Sequence, residues 1–560
     1  MNILFIMYDQ LRFDYLSCAG HPHLHTPNFD RLAARGVRFT EAYVQSPVCG
    51  ASRMSFYTGR YASSHGAQWN GFPLRVGEVT LGDHLRKLGV DAWLLGKTHM
   101  KVDAEGMARL GLSEDSVIGA RQAECGFDAW ARDDGLWGKG PDGFYDQKRS
   151  PYNEYLKSKG YDGDNPWADY ANASIDEDGN MASGWMFMNA DKPANIREED
   201  SETPWLTSET IRFIEAQGDK PWLAHVSFIK PHWPYIVPAP YHDMYGPNHV
   251  PTATRHPSER EDPHPVYNAF MSNKIAGAFQ QDIVREKVIP AYMGLIKQAD
   301  DQFGRLLDWL EETGRLDNTM IAVTSDHGDY LGDHWLGEKD LFHAPSVKVP
   351  LIICDPRSHA DATRGTTCDA LVEAIDLAAT FVEAAGGTVP GHIIEGRSLM
   401  PFLKGDEPAE WRKVAISEYD YSVTPMRDAL GVSADDARLF MIYDGRFKMM
   451  HAEGGFRPML FDTETDPDEF HDLGEDPAHT DTIARLYAYL AQWGRRNAQR
   501  VTRSDADIDA MRGASARKGI LPFLVDGSEV SEELTADYRG PARQNHLVKE
   551  DVCDVESRAS

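Results

Sequence analysis

The feature that most constrains this chain is a repeated pairing: a short, unbroken apolar run that stops abruptly at charged or polar residues. Ile3 to Met7 leads to Asp9-Gln10, Val90 to Leu95 to Gly96-Lys97-Thr98-His99, and Thr319 to Ser325 to Asp326-His327. Runs apolar at consecutive positions belong to strands covered on both faces, and such strands are joined by helices rather than by tight turns. The helices are legible too. Thr26-Pro27 reads as the N-cap and first residue of a helix whose apolar stripe is Phe29, Leu32 and Ala33 and whose stop is Gly36; Val79 to Leu88 repeats the signal before Gly89. The expected fold class is α/β, a large mixed, mainly parallel sheet flanked by helices, which binds its ligands at the carboxyl ends of the strands.

Fifty-seven basic against 87 acidic side chains leave a net charge of -30. Such a field repels a phosphate backbone, which argues against nucleic acid as a partner but leaves room for a small anion held by a few focused cations. No stretch approaches the ~18 consecutive apolar residues of a membrane-spanning helix. The opening MNILFIM has no basic residue before it and meets Asp9 and Arg12 at once, unlike a signal peptide. These features point to a cytoplasmic protein with no membrane partner. Six cysteines (Cys18, Cys49, Cys125, Cys354, Cys368, Cys553) lie far apart without CxxC spacing, which fits neither a disulfide framework nor a zinc ribbon.

Residues 125–205 turn to Gly, Asp, Asn and Trp with little periodicity, as in GLWGKGPDGFYDQ. They are expected to form a surface insertion or lid, with Trp130, Trp137, Trp167 and Trp185 either lining a pocket mouth or packing the insertion onto the core. A strand is expected again at Trp222 to Phe228, and a long helix near 281–313. Beyond residue 400, the segments ARLFMIY, RFKMMH and MLFDT and a helix near 478–497 predict a smaller antiparallel β subdomain. The expected organisation is a main domain over 1–400, a C-terminal α+β subdomain over 401–500, and a polar tail over 501–560 that is either disordered or an arm wrapping the partner in a homo-oligomer, a dimer or tetramer.

Two carboxylates (Asp9, Asp326), the Gln10 amide oxygen and the His327 imidazole, converging at one sheet edge, would make an oxygen-rich site for a hard or borderline divalent cation. Taken singly, each pair is weak evidence, because Asp-Gln and Asp-His also serve as turn and capping residues. Cys49-Gly-Ala-Ser-Arg53 opens a further helix, SRMSFYTG, and places a thiol at a helix N-terminus with an arginine four positions on. That arrangement lowers a thiol pKa and binds anions. Alone, it reads as a buried cysteine beside a surface arginine.

Together these motifs resemble the sulfatase family of the alkaline phosphatase superfamily. CGASR resembles the segment whose cysteine is oxidised to formylglycine, with Ala51 where the family usually has Pro. MYDQLRFD, TPNFDRLAARGVRFTEAY, TGRYASSHG, GKTH, TSDHGDYLGDHWLGEKDLFHAPSVKVPLI and LFDTETDPDEFHDL resemble family blocks in family order, over about residues 1–475. The resemblance implies an alkaline phosphatase-like fold, a catalytic domain over 1–400 and a hydrolase acting on a small anionic ester. It implies one divalent ion, manganese or calcium, held by Asp9, Gln10, Asp326, His327 and the formylglycine that a separate generating system forms from Cys49. It places anion-binding and proton-transfer positions at Arg53, Asn70, Lys97, His99, His232 and Lys339. In that scheme Arg53, Lys97 and Lys339 neutralise non-bridging oxygens. His232, with Lys339, protonates the departing oxygen; His99 deprotonates the second hydroxyl of the hydrated aldehyde, and Asn70 orients that diol.

Gln10 with the Asp326-His327 pair is similar to the phosphonate monoester hydrolase and choline sulfatase branch. Lys97-x-His99 is similar to sulfatases, whereas phosphonate monoester hydrolases place Tyr and Thr in that loop. The leading expectation is therefore an arylsulfatase-type sulfuric ester hydrolase, promiscuous toward phosphonate monoesters and phosphodiesters. The alternatives are a phosphonate monoester hydrolase or phosphodiesterase, a choline-sulfatase-like enzyme, and an anion-binding protein without turnover. Asp333 and His334 are expected to support the metal ligands from behind, and the Cys18, His21, His23, His25 cluster matches no strong zinc motif.

Overall fold

A computed structural model describes residues 1–113, 116–135 and 150–511. Trp137, Cys553 and the tail beyond residue 511 lie outside the described residues. Eight strands form the main sheet: β1 (Asn2–Asp9), β2 (Val37–Phe39), β3 (Asp91–Gly96), β4 (Asp128–Arg132), β5 (Trp222–Pro231), β6 (Thr319–Ser325), β7 (Leu351–Cys354) and β8 (Thr366–Cys368). Their order is β8-β2-β7-β6-β1-β5-β3-β4. Strand β7 runs against both neighbours, and every other pairing is parallel. The register sets Tyr8 beside Ser325 of β6 and Asp9 beside Pro231 of β5. The polar residues that follow these strands therefore emerge along one edge, at the centre of the sheet.

The unbroken apolar run of β1 has a direct use, because alternate residues enter different cores. Ile3, Phe5 and Met7 join a cluster with Phe56 and Tyr57 of α2 (Cys49–Thr58) and Leu377 and Phe381 of α5 (Asp376–Ala384). Leu4, Ile6 and Tyr8 join a second cluster with Phe29 of α1 (Pro27–Arg35), Phe213 of α3 (Glu202–Ala216) and Val288 and Tyr292 of α4 (Asp282–Glu312). At ~1.5–3 kcal/mol for each fully buried large side chain, a polar residue anywhere in that run would be strongly disfavoured.

Strands β9 (Ala415–Asp420), β10 (Arg438–Tyr443), β11 (Phe447–Ala452) and β12 (Met459–Asp462) form a separate antiparallel sheet. Its Leu439, Met441 and Phe461 sink into the core that holds Phe5. Ile442, Met449 and Leu460 pack on the other side against Leu486 of α6 (Thr480–Gly494). One compact unit spans Met1–Ala498; the unit from Gln499 holds, among its described residues, the short helix Asp505–Ala510.

The 125–205 stretch differs from the expected irregular insertion. Asp128–Arg132 is an edge strand of the main sheet, paired with β3, and α3 begins at Glu202. An edge strand of five residues, half of it accessible, carries too little alternation to be read from sequence. Trp130 packs on Trp93 and Phe213, with ring centroids 6.5 and 5.5 Å away. Trp167 is buried and donates Nε1 to Glu202 at 3.2 Å. Both therefore pack the stretch onto the core, Trp130 with 39% of its surface exposed, and Trp185, which rests on Trp167, is 46% exposed.

Candidate active site

Two strand ends and one helix start converge. Asp9 closes β1, Asp326 and His327 follow β6, and Cys49 begins α2. One ligand atom from each of these four buried residues lies within 4.8 Å of the others. Cys49 Sγ is 3.0 Å from His327 Nε2 and 3.9 Å from Asp9 Oδ1. The donor set suits a divalent cation in its details. His327 donates from Nδ1 to the Gly328 carbonyl at 2.8 Å, which turns the Nε2 lone pair toward the cluster. Gln10, at a left-handed φ of 64°, directs its Nε2 to Asp329 and, at 3.0 Å, to the Tyr235 hydroxyl. Its Oε1 is thereby turned the other way, to 3.2 Å from Lys339 Nζ.

Arg53 lies between the two carboxylates of the cluster. It is fully buried and donates Nε to Asp326 Oδ2 at 2.8 Å, Nη2 to Asp9 Oδ2 at 2.9 Å, and Nη1 to Ser227 Oγ at 2.7 Å and the Lys97 carbonyl at 3.0 Å. Four of its five N–H groups are thus engaged with protein acceptors. The guanidinium clamps two carboxylates that would otherwise repel each other. Burial and the adjacent Cys49 push the Asp9 carboxyl up, but Lys97, His232 and Arg53 outweigh them and hold it below the usual carboxylate range. Burial likewise raises the Cys49 thiol, and Lys339, His327 and Lys97 more than reverse it, so residue 49 sits in a strongly cationic pocket.

Lys97, at the end of β3, lies 2.5 Å from Asp9 Oδ2. Lys339 Nζ lies 3.3 Å from Cys49 Sγ and 3.4 Å from His232 Nε2. Burial disfavours an ammonium on Lys339, but Cys49, Glu338 and Asp9 outweigh it and keep the side chain charged. His232 donates Nδ1 to the Trp233 carbonyl at 2.7 Å, and burial pushes its pKa down to about 4, so the neutral ring offers Nε2 as an acceptor. Asn70 accepts the Gly50 amide at 2.7 Å. A Cβ at Gly50 would stand 2.9 Å from that Asn70 oxygen, so the close approach depends on glycine there. Ala51, third in α2, precedes the helix's first i→i−4 bond, made by the Ser52 amide, so no intrahelical bond separates it from the usual proline.

His99 is placed differently. Asp134 accepts the Thr98 and His99 amides at 3.1 and 3.3 Å and so fixes the Lys97-Thr98-His99 turn, while His99 Nδ1 is shielded without a protein partner. Asp333 reaches the site only through Arg12, which it meets at 2.6 Å and which in turn donates to the carbonyls of Asp329 and Tyr330. His334 pairs instead with Glu259 at 2.7 Å. His21 Nδ1 accepts the backbone amides of His23 and Leu24. The residues that sequence reasoning missed are Asp329, Tyr235, Ser227 and Asp134. Asp329 alone had a nearby signal, three positions after Asp326 in DHGD.

The sulfatase family model matches residues 1–387, and the model for the C-terminal part of N-sulphoglucosamine sulphohydrolase matches residues 332–496. The chain is 29% identical to a multifunctional alkaline phosphatase superfamily protein of Trinickia caryophylli, over 89% of this chain and 96% of that one. It is 27% identical to an arylsulfatase of Clostridium perfringens, over 87% and 93%. A phosphonate monoester hydrolase from Silicibacter pomeroyi superimposes with a TM-score of 0.78 at 30% identity, covering 89% of this chain and 96% of that one. The resemblance read from the motifs is thus matched across the whole main sheet, and the chain belongs to the sulfatase family, hydrolases of ester bonds within the alkaline phosphatase superfamily.

Proposed function

We propose that the chain is an arylsulfatase-type sulfuric ester hydrolase that also turns over phosphonate monoesters and phosphodiesters, acting through formylglycine at position 49 and one divalent ion, manganese or calcium. The observation that carries this reading is the buried donor set of Asp9, Gln10, Cys49, Asp326 and His327, flanked by two ammonium groups. When bound there, the ion supplies the Lewis acidity that makes a hydroxyl of the hydrated aldehyde nucleophilic at neutral pH.

The chain's own residues have separable tasks. Arg53 holds the Asp9 and Asp326 carboxyls together and helps keep Asp9 ionised. Lys97 and Lys339 face the charge that builds on the non-bridging oxygens of the ester. His232 Nε2, 3.4 Å from the Lys339 ammonium, is the atom that takes up a proton and hands it to the departing oxygen. Asn70 fixes the amide after residue 49 and with it the attitude of the nucleophile. His99, with a free Nδ1, is assigned the proton of the second hydroxyl. The five described cysteines are free thiols, which supports a cytoplasmic setting. Conversion of Cys49 calls for a formylglycine-generating partner.

A phosphonate monoester hydrolase or phosphodiesterase is the second reading, favoured by Gln10 beside the Asp326-His327 pair and by the 30% identity to the Silicibacter pomeroyi enzyme. The test is kcat/KM for aryl sulfate, aryl phosphonate monoester and aryl phosphodiester, with Cys49→Ala as the control for contaminating activity. The sulfate is expected to lead by about tenfold or more. A leading phosphonate or diester selects the second reading, and activity that survives in Cys49→Ala overturns both.

A further inference from the structure

We infer that Trp185 and Trp233 form the wall that receives the alcohol half of the substrate, and that this half is an aromatic ring. The inference rests on the ester-hydrolase reading above and names the substrate class for it. Four contacts lead outward from residue 49. Cys49 Sγ lies 3.3 Å from Lys339 Nζ, which lies 3.4 Å from His232 Nε2. The His232 ring meets the Trp233 indole at 4.3 Å, and Trp233 meets Trp185 at 5.1 Å. The departing oxygen collects its proton at His232, so the group bonded to that oxygen extends toward the two indoles.

Trp185 is held in place from behind. Buried Trp167 meets it at 6.3 Å and 63°, and a Cβ at Gly184 would stand only 2.5 Å from the Asn172 carbonyl and 2.8 Å from Ile236, so the segment presses closely on its support. Yet Trp185 is 46% exposed, and the adjoining Met186 and Met188 are 62% and 47% exposed. The same stretch is also anchored by buried Trp167 and by Trp130, itself 39% exposed. Trp185 meets both neighbouring indoles at steep angles, 61° and 63°, which leaves ring surface open to solvent. An aryl ring stacks on such a surface, with polarizable thioethers at its margin. A quaternary ammonium calls for aromatic faces on several sides, and these indoles offer one wall.

The test compares wild type, Trp185→Ala and Trp185→Phe on the phenyl, trifluoroethyl and choline esters of whichever oxyanion the enzyme cleaves. Each ester is referred to its own wild-type kcat/KM, so that leaving-group reactivity cancels. Trp185→Ala should lower kcat/KM for the phenyl ester by about tenfold, in line with a lost stacking partner, and for the trifluoroethyl ester by less than about twofold; Trp185→Phe should restore most of the difference. In parallel, phenol should quench wild-type tryptophan fluorescence and bind Trp185→Ala several-fold more weakly. Equal losses on the phenyl and trifluoroethyl esters, or no loss on either, overturn the proposal while the hydrolase reading stands. A choline ester that suffers as much as the phenyl ester overturns the aromatic assignment. No wild-type turnover above the Cys49→Ala background overturns the proposal and the hydrolase reading together.

Discussion

Asp329→Asn is the substitution that most directly examines how the cation site is oriented. Both oxygens of Asp329 are in use: Oδ2 accepts Gln10 Nε2 and the Tyr235 hydroxyl, and Oδ1 accepts the Leu331 amide at 2.9 Å. Asparagine keeps one oxygen. If that oxygen faces Leu331, an NH2 group meets the NH2 of Gln10, and Gln10 turns its amide over to present a nitrogen without a lone pair where Oε1 had been. If the oxygen faces Gln10 instead, the Leu331 amide is buried without an acceptor, at a penalty of ~1–3 kcal/mol. Removing a group that orients a metal ligand weakens metal binding by ~10–100-fold, which corresponds to ~1.4–2.8 kcal/mol. Calorimetric titration of stripped wild-type and variant protein with manganese and with calcium measures this directly, and kcat/KM at saturating metal shows whether chemistry follows. The expected outcome is a Kd raised about 10–100-fold, with activity largely regained at high metal. An unchanged Kd would refute both the orienting role of Asp329 and the place of Gln10 among the ligands.

Arg53→Ala should destabilise the metal-free protein by ~3–5 kcal/mol, because it strands two buried carboxylates, and denaturant unfolding that differs by less than about 1 kcal/mol would contradict the clamp. Metal chelation should lower Tm, and return of manganese or calcium to 100 times Kd should restore ~2.7 kcal/mol. Asn70→Ala leaves the Gly50 amide without its acceptor and is expected to lower kcat about tenfold, consistent with the ~1–3 kcal/mol of an unpaired buried amide; unchanged kcat in single-turnover assays would remove Asn70 from the machinery. Burial pushes the Glu418 carboxyl up to about 7 from an ordinary 4.5, although it accepts the Ser63 amide. The folded state therefore holds this proton more tightly than the unfolded state, and the associated stability is complete below pH 4.5 and lost as pH rises through 7. Glu418→Gln should remove a decline of at most ~1.4 kcal/mol per pH unit across that window, and parallel stability curves for the two proteins would contradict it.

What the sequence discloses follows from how local its cause is. Strands β1 and β6 are legible because both of their faces must be apolar, and the helix at Asp282–Glu312 is legible despite Pro290 because its stripe is long. Strand β4 is not, since a short edge strand owes its place to its neighbour β3 rather than to its own pattern. Asp9, Gln10, Asp326 and His327 stand out as polar ends of apolar runs, and the family blocks add Lys97 and Lys339. The task of Arg53 was hidden because it is fixed by partners 44 and 273 positions away in the chain. Asp329 and Tyr235 were hidden for the same reason: they act on Gln10 from 319 and 225 positions away, through a register that only the assembled sheet defines.

The central position of β1 also sets a timetable. Cys49 is fully enclosed in the finished pocket, and the strand that closes the pocket leads into His327, 278 positions later. At a synthesis rate of roughly 5–20 residues per second, ~15–55 s separate the emergence of the cysteine from that of the imidazole that covers it. On the proposed conversion of Cys49 to formylglycine, the modifying enzyme has that interval in which its target is an accessible peptide, before pairing of β1 with β6 shuts the thiol away. Codon usage or chaperones that shorten the interval would be expected to yield well-folded but unmodified protein, so the specific activity of a preparation becomes a record of how fast it was made.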